Sequence, residues 1–168
     1  MKTVTIDIRR AEPDDADAIA ETHRAAWMGA YAGIIPHGAL LKMVNRRGPQ
    51  WWANAIRRAT SVLVIDMGGT VAGYATLGRS RARQLKPQGE IYELYLRPEY
   101  QGLGLGSRLF EAARQKLSQH GLKGLVVWAL EENTNALAFY EGAGGRDIAE
   151  GVEVFDNKAL RKVAFVWD

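Results

Sequence analysis

Three glycines fall within five positions in the stretch "RPEYQGLGLGSRLF", residues 97–110. They stand between "EIYELYL", a strand-like run, and a helical run that begins near Leu105. A helix start leaves backbone N–H groups without partners and carries about half a positive charge. Glycines ahead of it remove side chains that would hold a ligand away, and they permit the positive φ angles that turn successive amides the same way. Strand, glycine turn and helix together can therefore grip a phosphate. The competing reading is a turn needed only to pack strand against helix.

Two nucleotide loops can be held against this stretch. The ATP/GTP loop ends Gly-Lys-Ser/Thr, whereas Gly106 is followed by Ser107 and Arg108. The dinucleotide fingerprint is met at Gly102 and Gly104 but has Ser107 in its third glycine position, and Glu131 and Glu132 lie late for its ribose-binding acid. A dinucleotide-binding protein stands as one alternative. Other chemistries are excluded by composition. With no cysteine there is no disulfide, no thiolate zinc site and no cysteine nucleophile. Three scattered histidines, His23, His37 and His120, do not make a metal site, so no metal is expected, and His120 suits the C-terminus of a helix.

The net charge of +3 comes in scattered pairs (Arg9-Arg10, Arg46-Arg47, Arg57-Arg58), without the aromatic-interleaved stripe of a nucleic-acid binder. The expected reading is a solvated surface with some pull on anionic ligands. No run approaches the roughly 18 apolar residues of a membrane span, and "MKTVTIDIRRAEPDD" lacks an apolar leader. No nucleic acid and no membrane partner is expected, and the expected location is cytoplasmic.

The elements that must position the turn follow from periodicity. Thr3 to Arg10 alternates Val4, Ile6 and Ile8 as a strand. Pro13 and the acidic residues Asp14, Asp15 and Asp17 open a helix carrying Ile19, His23, Ala26 and Trp27 on one face. A second helical region spans about His37 to Ala59, interrupted at Gly48-Pro49. "SVLVID" and "TVAGYATLGRS" flank Gly68-Gly69 as a hairpin, and "EIYELYL" is a strand stopped by Pro98. Leu105 to His120 is a helix with Leu105, Leu109, Ala113 and Leu117 on one face. "GLVVWAL" is a buried strand, "NTNALAFYEGAG" a short helix ended by glycines, and "GVEVF" and "KVAFVW" are two closing strands. The order is β-α-α-β-β-β-α-β-α-β-β, an α/β class in one domain over residues 1–168.

On these residues the chain resembles a known family. Gln101-x-x-Gly104-x-Gly106 reproduces the Gln/Arg-x-x-Gly-x-Gly/Ala motif of the GNAT N-acetyltransferases, after a strand ending "LYLRP". "NTNALAFY" resembles the family's Asn-x-x-Ala-x-x-Phe-Tyr at Asn133, Ala136, Phe139 and Tyr140. The resemblance runs nearly end to end and implies a mixed, mostly antiparallel sheet of about seven strands flanked by helices. One departure is Gly145, where the family often has an aromatic residue.

The resemblance implies acetyl-CoA as donor, with its diphosphate on the main chain of Gln101, Gly102, Leu103, Gly104, Leu105, Gly106 and Ser107. The pantetheine arm would run beside Leu94, Tyr95 and Leu96 as an added strand, toward Asn133, Ala136 and Phe139. Proline at 98 lacks an N–H and ends the ladder there. Tyr140 matches the tyrosine that protonates the departing thiolate. For the base, the resemblance prefers Glu90, eleven residues before Gln101, where histone-acetylating relatives keep their base glutamate, although many relatives have no dedicated base and leave the role to water. Glu93 lies in the same strand, on the opposite face unless a bulge intervenes. The acceptor cleft is implied to involve Trp27 and Tyr31, four apart on one helical face, with "YAGIIP" crossing its mouth. Trp51 and Trp52 cannot both face the core, so one is exposed or at an interface. The expected activity is direct acetyl transfer to a primary amine of a small molecule or peptide in a ternary complex. A non-catalytic acyl-CoA-binding or sensing module is a second alternative. A homodimer is common among relatives.

Overall fold

The computed structural model describes residues 3–58 and 61–168. The first strand, β1 (Ile6–Arg10), is shorter than the sequence alternation suggested. A 3-10 turn at Pro13–Asp15 leads into α1 (Ala16–Tyr31). Asp15 accepts the Glu12 N–H at 2.7 Å and both terminal nitrogens of Arg9 at 2.7 and 2.9 Å, tying the helix start to β1. Ile19, His23, Ala26 and Trp27 form the buried face of α1.

The second helical region divides at Gly48-Pro49 into α2 (His37–Arg46) and α3 (Pro49–Arg57); Ala59, expected to end it, lies outside the described residues. Strands β2 (Ser61–Met67) and β3 (Thr70–Arg79) form the hairpin, with Gly68 and Gly69 at φ 60° and 97°. Then come β4 (Gly89–Leu96), α4 (Leu105–Gln119), β5 (Leu125–Leu130) and α5 (Thr134–Gly142). The last two strands, β6 (Arg146–Phe155) and β7 (Lys158–Trp167), are longer than expected. They meet at Asp156-Asn157, both at positive φ, the turn whose twist suits a tight hairpin. His120 follows α4 as its cap.

The seven strands make one sheet, ordered β1-β2-β3-β4-β5-β7-β6. Every neighbouring pair is antiparallel except β4 and β5. That parallel pair is in register only at Gly89↔Leu125 and Glu90↔Val126, after which the strands diverge. On one face α4 and α5 pack Leu109, Phe110, Leu117 and Tyr140 against Ile91, Val127 and Phe165. On the other, α1 and α3 pack Ile19 and Trp52 against Val62, Val64 and Tyr74. Beyond Glu90 and Val126 the two strands share no ladder, so the sheet is split between β4 and β5.

Gly145 has a steric cause. A Cβ there would lie 2.6 Å from the Trp167 ring and 3.0 Å from the Tyr140 carbonyl. Trp167 fills the space beside α5 and donates its indole N–H to the Ala143 carbonyl at 3.0 Å. The aromatic bulk comes from the end of β7 instead of from position 145.

Candidate active site

The glycine turn has the geometry of an anion cradle. Pro98–Tyr100 forms a 3-10 turn, Gly102 and Gly104 take φ of 79° and 77°, and Gly104 caps α4. The Gln101 N–H is committed to the Pro98 carbonyl at 3.2 Å, and the Arg108 N–H to Gly104. The amides of residues 102–107 have no acceptor among the described residues. A Cβ at Gly102 or Gly104 would meet no atom within 4 Å, so none of the protein's own side chains covers the turn there. Leu103 is largely exposed, whereas Leu105 is buried under the helix. Phe139 packs against Gly106, where a Cβ would meet its ring at 3.4 Å, and this brings α5 up to the start of α4.

The strand beside the cradle is oriented for an added chain. Arg97 donates its N–H to Ala72 of β3 at 2.9 Å. By alternation the main chain of Leu96 and Leu94 faces away from β3, into the split toward β5. Tyr95 instead turns its main chain to β3 and sends its side chain to the opposite compartment, where its hydroxyl bonds that of Tyr31. Beyond the end of β5, Asn133 caps α5 by accepting the Ala136 N–H at 3.3 Å.

The second compartment is a cavity of about 690 Å³ between α1–α3, β4 and the β6–β7 hairpin. Trp27, Tyr31, Trp51, Tyr92, Tyr95 and Trp128 are among its walls. Because α1 continues to Tyr31, Trp27 and Tyr31 do share a face, their rings 5.1 Å apart. Trp52 is fully buried while Trp51 is 36% exposed, the division expected of adjacent helix tryptophans.

The two glutamates are separated by a β-bulge. Leu77 pairs with Ile91 and Thr76 with Glu93, so Tyr92 is the extra residue in β4. Glu93 faces the cavity, where its carboxylate is bonded by the Arg47 guanidinium and by the Thr76 hydroxyl at 3.2 Å. Burial raises its pKa above the ordinary carboxylate value, and Arg47 and Thr76 oppose that rise. Glu90 has no such access. It is 1% exposed, and its two oxygens are occupied by the Arg81 N–H at 2.9 Å and the Arg81 guanidinium at 2.8 Å.

Tyr140 projects from α5 into the core beneath the split, beside Phe110 and Phe165. Burial, and then proximity to Tyr31, raises its pKa, so the hydroxyl holds its proton. Tyr31 belongs to the aromatic cavity. Arg47 and Thr76 were not singled out by the sequence. Arg47 belongs to one of the pairs counted as solvated surface, and only the fold brings it to Glu93.

Among the described residues no helix is long and apolar enough to cross a membrane, and no cluster of His, Asp or Glu could hold a metal ion.

Comparison with known proteins bears on the fold and the family. The chain is 29% identical over 162 residues to the uncharacterized N-acetyltransferase YuaI of Bacillus subtilis, covering 96% of this chain and 92% of that one. Its fold superposes on PaiA N-acetyltransferase from Thermoplasma acidophilum in complex with coenzyme A, with a TM-score of 0.76 and 20% identity over 94% of this chain and 98% of that one. It also superposes on yncA, a putative acetyltransferase from Salmonella typhimurium with its cofactor acetyl-CoA, with a TM-score of 0.72 and 22% identity over 97% and 93%. The profile of the Acetyltransferase (GNAT) family matches residues 22–144, the span that holds the amide cradle, the split strands and Tyr140. The chain belongs to the GNAT family of acetyltransferases.

Proposed function

We propose that this acetyltransferase moves the acetyl group of acetyl-CoA directly to a primary amine of a small molecule or peptide, with both substrates bound at once. The observation that carries the reading is that β4, split from β5, leads at its end into a turn of free amides and lines with Glu93 and Tyr95 an aromatic cavity that has a carboxylate in its wall. Acetyl-CoA supplies the activated thioester carbon. The diphosphate rests on the amides of residues 102–107, one fewer than the motif suggests because the Gln101 N–H is already used. Leu94 and Leu96 hold the arm by their main chain, as a sheet holds an added strand, and Asn133 faces it from the start of α5.

The acceptor enters from the cavity. An amine arrives as ammonium and must lose a proton before its lone pair can attack the carbonyl carbon. Glu93 takes that proton, since it faces the cavity while Glu90 is capped by Arg81. The amine nitrogen forms the new C–N bond, the C–S bond breaks with its electron pair on sulfur, and Tyr140 donates a proton to the thiolate. No acyl-enzyme is required, there being no cysteine.

Thiol release from acetyl-CoA across a panel of primary amines, with calorimetry of acetyl-CoA binding, tests this reading. Turnover is expected with at least one amine, and Tyr140→Phe is expected to lower kcat about 100-fold with little change in donor affinity. Tight binding of acetyl-CoA without turnover on any amine would instead indicate an acyl-CoA-binding module. Tight binding of NAD in place of acetyl-CoA would indicate a dinucleotide protein.

A further inference from the structure

We infer that the Arg47–Glu93 ion pair is a zwitterion reader, so that the acceptor is an α-amino acid or a close analogue with an apolar side chain. The inference rests on reading the cavity as the acceptor's side of an acetyl transfer. Its basis is the state of Arg47. The guanidinium carbon lies 4.5 Å from the ring centre of Trp51, 5.7 Å from that of Trp27 and 5.9 Å from that of Trp52. The guanidinium is held among tryptophans and is 28% exposed, yet only Nη1 has a hydrogen-bond partner among the described residues, the Glu93 carboxylate. Nε and Nη2 donate to nothing there. A guanidinium presents a rigid fork that matches a carboxylate, and this one has half of its fork free at the wall of a cavity.

The pairing has a geometric consequence. A cation and an anion side by side complement a ligand that carries an anion and a cation side by side. An α-amino acid is such a ligand, with carboxylate toward Arg47 and ammonium toward Glu93, the group that removes its proton. The walls at Trp27, Trp51, Tyr95 and Trp128 suit an apolar side chain. The remaining charges at the rim are largely paired, Lys42 with Asp156 at 3.8 Å and Lys162 with Glu153 at 3.9 Å. Basic side chains outnumber acidic ones five to three along the lining, which disfavours a polycation. A simple amine would leave the guanidinium fork unmatched.

The test is equilibrium binding without donor, read by the fluorescence of the cavity tryptophans and checked by calorimetry. The probes are matched pairs: phenylalanine against phenethylamine, leucine against isoamylamine, methionine against 3-(methylthio)propylamine. In at least one pair the amino acid is expected to bind about tenfold or more tighter, the size of a charge-assisted hydrogen bond. Arg47→Gln is expected to erase that preference while leaving amine binding within about threefold, a spread below one neutral hydrogen bond. Since Arg47→Gln strands a buried carboxylate, the Arg47→Gln/Glu93→Gln double variant provides a neutral pair of similar shape and is expected to show no preference either. If the amine binds as well as the amino acid in every pair, or if the preference survives loss of Arg47, the inference fails. Stronger amine binding to Arg47→Gln also overturns it, because Arg47 would then be a tethered occupant of the ammonium seat. An amino acid that binds with this preference but is not acetylated, while another amine is, overturns its assignment as acceptor; absence of turnover on every amine counts against the proposed function instead.

Discussion

At the scale of single residues, Glu90 and Glu93 show how one extra residue reassigns chemistry. Spacing to the glycine turn favours Glu90, and strand alternation would set the two carboxylates on opposite faces. The bulge at Tyr92 removes that alternation. It leaves Glu90 bonded to Arg81, while Glu93 stands in the cavity wall. Glu93→Gln is expected to lower kcat/KM by about 100-fold or more, the usual size of a general-base effect. Glu90→Gln is expected to change the rate less than about tenfold but to cost about 1–3 kcal/mol of stability, because it disturbs a buried charged hydrogen-bond pair. Rates and urea melts of both variants decide, and the reverse pattern would return the base role to Glu90. The acid limb of kcat/KM follows from the same carboxyl. A base works only when ionised, and burial raises the Glu93 pKa, so activity is expected to fall with decreasing pH at values above those of an ordinary glutamate.

At the scale of elements, the start of α4 and the end of β7 carry separate demands. Gly104 caps α4 in the left-handed region, where a side chain costs about 1–2 kcal/mol and would project over the free amides. Gly104→Leu is therefore expected to raise the KM for acetyl-CoA with a smaller change in acceptor KM. Unchanged donor kinetics in this variant would remove the diphosphate from the turn. Trp167 has a packing role. It is 6% exposed, occupies the space that a side chain at Gly145 would need and bonds the last turn of α5. Trp167→Ala is expected to cost about 3–5 kcal/mol in chemical denaturation. A loss under 1 kcal/mol would mean that α5, and Tyr140 with it, is held by other contacts.

At the scale of the whole molecule, the sheet carries α4 and α5 on one face and α1, α3 and the aromatic cavity on the other, and the proposed reaction joins them where β4 and β5 part. Behind Trp27 and Trp52 of the cavity wall lies a buried histidine that ties stability to pH. His23 packs 4.8 Å from the ring of Trp27 and 5.7 Å from that of Trp52, and neither ring nitrogen has a partner among the described residues. Burial, then Arg47 and Arg24, lowers its pKa to about 3. The unfolded chain takes up a proton near pH 6.5 that the folded one refuses. The stability tied to neutral His23 is therefore complete above about pH 6.5 and declines toward pH 3, at roughly 1.4 kcal/mol per unit. Urea unfolding at pH 7 and pH 5 is expected to show a stability loss about 2 kcal/mol smaller in His23→Leu than in the parent chain, and equal losses would show that the ring is not held neutral.

The division of labour between chain and fold follows from the range of the forces involved. The amino-acid sequence by itself determined what depends on near neighbours: the hairpin at Gly68-Gly69, the α2–α3 break at Gly48-Pro49, the glycine cap of α4, the shared face of Trp27 and Tyr31, and the unequal burial of Trp51 and Trp52. Tertiary structure alone decided what depends on partners distant in sequence. Arg47 and Glu93 are 46 residues apart, and Gly145 and Trp167 are 22 apart. The bulge that turns Glu93 toward Arg47 is a mismatch between two paired strands, Thr76 and Leu77 against Ile91 and Glu93. Local periodicity records how a segment folds against its own neighbours, whereas which carboxylate meets a cation is settled only when the sheet closes and burial makes an unpaired charge too costly to keep.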